Sequence, residues 1–278
     1  DELPDIFLDD LRKSVKSENE NAIIIGEVWE DATNKFAYGQ RRKYLLGEQL
    51  DSVMNYPFAD AILNFVRYAN GNAFFNAVLS IIENYPPQVL NVLMNHIGTH
   101  DTERAITRLA GENPDGHDRA WQFEHNTLSE FDYLKGISMM KIASLIQFTL
   151  PGVPSIYYGD EIGMQGMKDP FNRACMPWNK PNEELLKWYK RLGQIRHSSK
   201  AFIDGDFEKL YCDGGVIAYS RSSEGDNILV AINNSNEQKR IFVGIQWDNS
   251  YSLFDEKSVD GFVNLPPYRY TLLSKKEY

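Results

Sequence analysis

Apolar positions along the chain follow two rhythms, and the change falls near residue 199. In the first part, continuous apolar runs alternate with helical stripes. Ile6, Phe7, Leu11 and Val15 form one stripe behind Pro4, which suits a first helical turn, so a helix is predicted over about residues 3–15. The run Ala22-Ile23-Ile24-Ile25-Gly26 then reads as a strand covered on both faces, as in a parallel sheet. A polar stretch to Gln49 precedes a short strand near 52–56, and a helix follows at about 72–84, stopped by Pro86-Pro87. The third strand is predicted at 89–95, before a polar loop over about 111–129. A long helix over about 133–150, a strand at 155–159 and a helix at about 183–197 complete four strand–helix units. Such a succession implies an α/β domain built on a parallel sheet.

Beyond residue 199 the runs shorten and become β-rich, at 207–212, 216–221, 227–233, 239–243, 251–254 and 268–273. Turn-forming pieces such as Asp213-Gly214-Gly215 and Glu224-Gly225-Asp226 separate them. Two domains are therefore expected: an α/β domain over 1–198 and a small antiparallel β domain over 199–278.

The 42% apolar and 24% charged content marks a globular chain. A net charge of −10 argues against nucleic acid or an anionic membrane surface as partner, and no apolar run is long enough to span a bilayer. Cys175 and Cys212 fall in different predicted domains, which favours free thiols over a bridge. No Gly-rich phosphate loop follows any predicted strand, which argues against a nucleotide enzyme.

Candidate chemistry sits at two strand ends. Glu27 follows the strand 22–26 and is flanked by Gly26, Val28 and Trp29. In barrel enzymes the carboxyl ends of the strands carry the active site. A carboxyl group beside apolar neighbours there is suited to general acid work. The alternative is a structural salt bridge. His100-Asp101 follows the strand 89–95, where a carboxylate and an imidazole can grip the hydroxyls of one sugar ring. The alternative for Asp101 is a cap on the following helix.

Five segments then align in order with one family: Gly26-Glu27-Val28-Trp29; Val53-Met54-Asn55-Tyr56-Pro57-Phe58; His100-Asp101-Thr102-Glu103-Arg104; Ile156 to Met164; and Asp169-Pro170, Arg173 and Met176-Pro177-Trp178. Together they resemble the α-amylase superfamily, glycoside hydrolase family thirteen. The nearest branch is that of neopullulanases, cyclomaltodextrinases and maltogenic amylases. The resemblance implies the C-terminal half of a (β/α)8 TIM barrel, about strands five to eight, followed by a β-sandwich domain. It implies a fragment of a retaining hydrolase of α-1,4, and in some members α-1,6, glucosidic bonds in starch-type glucans, maltooligosaccharides or cyclodextrins. It assigns Glu27 as general acid and base, and Asp101 as the carboxylate that binds ring hydroxyls and stabilises the transition state. His100, Trp29, Arg104, Asp169 and Arg173 are assigned to substrate binding. Asp160 and Glu161, though acidic and close to a strand, fall in a stretch usually structural in the family. The chain departs from the branch at Glu30, where a histidine is usual, and in a longer loop over 31–46.

The resemblance also places the nucleophile in an arginine-x-aspartate motif just upstream of Asp1, so Asp1 is not expected to be that residue. The isolated chain is expected to be inactive, and its half-barrel edges are expected to promote self-association. A non-catalytic glucan-binding protein and a transglycosylase of the same family are the alternatives. No metal ligands and no cofactor are assigned. Calcium stays open, because many relatives bind it, although no EF-hand-type loop is present.

Overall fold

The computed structural model describes residues 2–276, apart from 255–257 and 260, so Asp1 lies outside the described residues. Helix α1 (Asp5–Glu18) leads into strand β1 (Ile25–Gly26). Strand β2 (Ser52–Val53) is followed by helices α2 (Tyr56–Tyr68) and α3 (Gly71–Asn84). Strand β3 (Met94–Asn95) precedes a short helix α4 (Ala105–Ala110) and the long helix α5 (Glu130–Thr149). Strand β4 (Val153–Pro154) and helix α6 (Glu183–Ser198) close the α/β part. The β1–β2 and β3–β4 pairs are parallel, and a parallel bridge from Met54 to Met94 joins them in the order β1-β2-β3-β4.

The four strands are shorter than predicted. Residues 87–90, which overlap the start of the predicted third strand, form a helical turn, because Pro87 occupies its first position and Pro86 precedes it. Residues 155–159 leave the sheet after Ser155, whose N–H donates to Asn95. Helix α2 was absent from the predicted pattern. Asn55 caps it by accepting from the N–H of Phe58, and Pro57 sits in its first turn. The polar stretch 111–129 also holds a helical segment, Arg119–Glu124, capped by Asp118. The run at 22–26 is covered on one face only: Ile24 is buried, while Ile23 is 60% and Ile25 43% exposed.

The β part holds a six-stranded antiparallel sheet. Its strands are β5 (Asp206–Asp213), β6 (Val216–Ser223), β7 (Asp226–Asn233), β9 (Ser250–Ser252), β10 (Ser258–Val259) and β12 (Arg269–Ser274), in the spatial order β10-β9-β12-β7-β6-β5. Strands β8 (Lys239–Phe242) and β11 (Phe262–Leu265) form a separate antiparallel pair. Period-2 alternation gives the large sheet two buried faces. Ile217, Tyr219, Ile228, Val230, Ile232 and Leu272 join the core of the α/β part. Val216, Ala218, Leu229, Ala231 and Leu273 pack instead against Ile241, Val263 and Leu265 of the smaller pair.

The junction is polar as well as apolar. Arg221 is fully buried and donates twice to the Gly205 carbonyl, at 3.2 and 2.8 Å, and once to that of Thr149, at 2.9 Å. Thr149 ends α5, so Arg221 satisfies a carbonyl the helix cannot. The Tyr219 and Thr149 hydroxyls share a further bond of 2.6 Å. Replacing Arg221 by Met strips these carbonyls of a donor, and we expect a loss of about 3 kcal/mol of stability. Urea unfolding measures this, and an unchanged midpoint would show that the junction does not depend on the arginine.

Candidate active site

The parallel strands deliver Glu27, Tyr56 and the loop 96–101 to one end of the sheet. Alternation through β1 buries Val28 and turns Glu27 and Trp29 outward. Trp29 stacks on Tyr56 with ring centroids 4.1 Å apart and planes 12° from parallel. The Tyr56 hydroxyl donates to Glu27 Oε1 at 2.9 Å. Burial holds the Tyr56 phenol well above its ordinary pKa; Thr99 acts against this, while Glu27 and the charge of Asp101 add to it. Tyr56 therefore stays a neutral donor to Glu27.

The Asp101 loop is held from below. Its N–H donates to Thr99 Oγ1 at 3.2 Å. Asn172, fully buried, donates from Nδ2 to the carbonyls of His100 and Thr102, each at 2.7 Å. Arg173 donates to the His100 carbonyl at 3.1 Å and reaches Asp101 Oδ1 at 3.2 Å. The same guanidinium lies 3.1 Å from Asp169, and His100 Nε2 lies 3.2 Å from Asp101 Oδ2. His100, Asp101, Asp169 and Arg173 thus form one exposed polar cluster, with Glu27 and Trp29 joined around Tyr56.

Arg104 is not part of that surface, which corrects the expectation that it contacts substrate. It is fully buried, its guanidinium lies over the rings of Tyr157 and Tyr158, and it donates to the Tyr158 carbonyl. Helix α4 begins at the next residue, and the Arg104 N–H is tied to the Gly166 carbonyl at 2.9 Å, so the chain has already turned inward. Asp160 lies beneath it, with Oδ1 3.8 Å from Arg104; burial pushes its carboxyl up to about 7, against the pull of that arginine. Tyr56 and Asn172 carry site contacts that sequence reasoning did not assign. Tyr56 could have been found, because it follows a strand end just as Glu27 does. Glu30 pairs with Lys35 at the rim. Among the described residues no group of three or more His, Cys, Asp or Glu side chains is placed to hold a metal ion.

His96 lies directly under Tyr56, with ring centroids 4.5 Å apart. Burial lowers it to about 4 from 6.5, with Asp60 and Arg108 as opposing charged neighbours. Its folded pKa is depressed, so the unfolded chain takes up the proton first as pH falls. This contribution is intact above pH 6.5 and is lost between about 6.5 and about 4, up to about 3 kcal/mol. Urea midpoints at neutral and acid pH should diverge between the native chain and His96→Gln. Parallel pH profiles would contradict the assignment.

The model for the α-amylase catalytic domain matches residues 4–191, and that for the α-amylase C-terminal domain matches 205–252. A cyclomaltodextrinase of Thermoanaerobacter pseudethanolicus is 36% identical over 84% of this chain and 35% of its own length. Neopullulanase 2 of Thermoactinomyces vulgaris is 31% identical over 88% of this chain and 37% of its own. A solved cyclomaltodextrinase structure superposes with a TM-score of 0.79 at 30% identity, covering 98% of this chain and 43% of that one. The chain thus spans between 35% and 43% of the length of these relatives. Among the described residues no helix is long and apolar enough to cross a membrane.

Proposed function

The chain belongs to the α-amylase family, and we propose that it forms the C-terminal half of a (β/α)8 barrel, about strands five to eight, with an appended β-sandwich, in a retaining α-glucan hydrolase. The observation that carries this reading is one cavity bordered by both Asp101 and Trp29, where Trp29 stacks on the Tyr56 ring whose hydroxyl donates to Glu27. Glu27 donates a proton to the glycosidic oxygen and later activates water. Asp101, with His100, accepts sugar hydroxyls and opposes the positive charge of the oxocarbenium-like transition state. Trp29, stacked on Tyr56, offers its ring to the sugar beside the scissile bond. Asp169 and Arg173 bind the next sugar and hold Asp101 in place. Arg104 acts through the loop it supports, as a positioning residue.

A retaining mechanism needs a nucleophilic carboxylate about 5–5.5 Å from the acid. The family resemblance assigns it to an aspartate outside these 278 residues. The substrates named for the relatives, cyclodextrins and pullulan, set the substrate class proposed here: α-glucans of starch type.

In a protein that carries this chain with the complementary strands, Glu27→Gln and Asp101→Asn should each reduce maltotriose and β-cyclodextrin turnover by about 100- to 10,000-fold. Reducing-end release measures it, and a loss below threefold in either variant would overturn the assignment. The chain alone should show no turnover. Ile23, Ile25, Val153 and Ile156 leave apolar surface open along the sheet, so it should self-associate in light scattering. A stable monomer would contradict this second expectation.

A further inference from the structure

Two cavities adjoin along the C-terminal turn of α2. The first, about 430 Å³, is lined by Trp29 and Asp101 and by Asn64, Arg67 and Tyr68. The second, about 720 Å³, shares Arg67 and Tyr68 and is also lined by Asn234 and Tyr268 of the β part. Both volumes lie in the range of small-molecule sites, about 300–1,000 Å³. We infer that together they form a track that carries an extended α-glucan chain from the carboxylate site to the β domain. The inference rests on the α-glucan reading of that site.

Three exposed rings mark the track in order: Trp29 at 49%, Tyr68 at 66% and Tyr268 at 56%. An exposed aromatic ring presents an apolar face with a polar edge, which matches the C–H faces and hydroxyl rim of a pyranose. Between the rings, Asn64 and Glu103 line the first cavity, and Lys135 and Ser138 the second, as hydroxyl partners. In the first cavity Arg108 pairs with Asp60 and Lys168 with Asp115, which leaves neither cation free to hold an anion. With Arg67 also bound to backbone carbonyls and acidic side chains in the lining, the cavity favours a neutral polyhydroxyl ligand over an anion.

The track is built in advance. The Arg67 guanidinium lies over the Tyr68 ring at 5.7 Å and donates to the carbonyls of Arg108 and Gly111. Asn234 is buried and donates to the carbonyls of Phe65 and Val66 at 2.9 and 3.0 Å, fixing the β part against α2. Two non-glycine residues of the second cavity, Ala69 and Tyr268, hold left-handed backbone at φ 55° and 54°. Ala69 does so as the C-cap of α2, while at Tyr268 the conformation costs about 1 kcal/mol.

The test compares the 278-residue chain with Tyr68→Ala, Tyr268→Ala and Tyr268→Phe, by titration calorimetry with maltoheptaose and by retardation in amylopectin gels. Each alanine variant should weaken maltoheptaose binding by about three- to tenfold. Tyr268→Phe, which keeps the ring, should bind as the native chain does. In the complete enzyme, Tyr268→Ala should leave maltotriose turnover unchanged while lowering that on amylose. Unchanged affinity in both folded alanine variants overturns the track. Absence of amylopectin binding by the native chain, with an active complete enzyme, overturns the track alone. Absence of both activity and binding overturns the glucan reading itself.

Discussion

Each of the four parallel strands is only two residues long, so their own ladder cannot hold the strand ends in register. Buried amides do so instead. Asn55 Nδ2 donates to Asn95 Oδ1 at 2.9 Å, and Asn95 Nδ2 donates to the Pro151 carbonyl at 2.7 Å. Gln147, from α5, bridges the carbonyls of Asn95 and Ser155. Each of these three amides is buried, so a lost partner would strand a polar group away from water, at about 1–3 kcal/mol. Asn55 also caps α2, so the same side chain that joins β2 to β3 sets where Tyr56 emerges.

From that framework the carboxylates take their places with little further adjustment. Glu27 meets Tyr56 because both leave adjacent parallel strands at the same end. Asp101 lies farther along its loop and needs more support. Asn172 and Arg173, some seventy residues later, supply it by gripping the His100 and Thr102 carbonyls. Arg104 and Asp160 lie below this clamp, where a buried arginine between two tyrosines sets the base of the loop. The β sheet packs on the far side and shares the core, so the α/β part and its appendage stabilise one another.

Glu27 was legible as a strand-end carboxylate because an apolar run that stops at an acidic residue is a local signal, whereas Asp101, six residues past Asn95, was legible only through the motif around it. Most β-domain strands were legible from their own apolar alternation, which survives without knowledge of partners, but β10 and β11 were not predicted. Strand lengths were not, since a residue belongs to a ladder only where a neighbour pairs with it; 155–159 has apolar character but turns away after Ser155. Helix α2 was hidden because Pro57 reads as a breaker, although behind a capping Asn55 it starts a helix. Arg104 was misplaced because nearness to Asp101 in sequence says nothing of which way the chain turns next. Asn172 carried no local signal, and its role exists only through contacts across seventy residues.

The claim at the centre is that Glu27 supplies a proton to the departing sugar oxygen. The most direct test compares Glu27→Gln in the complete enzyme on maltotriose and on a 4-nitrophenyl maltoside, whose leaving group needs no proton. The account predicts that bond cleavage in the activated substrate, followed as the first-turnover release of nitrophenolate, is retained far better than cleavage of maltotriose. An equal loss on both substrates would contradict it and leave Glu27 a structural carboxylate.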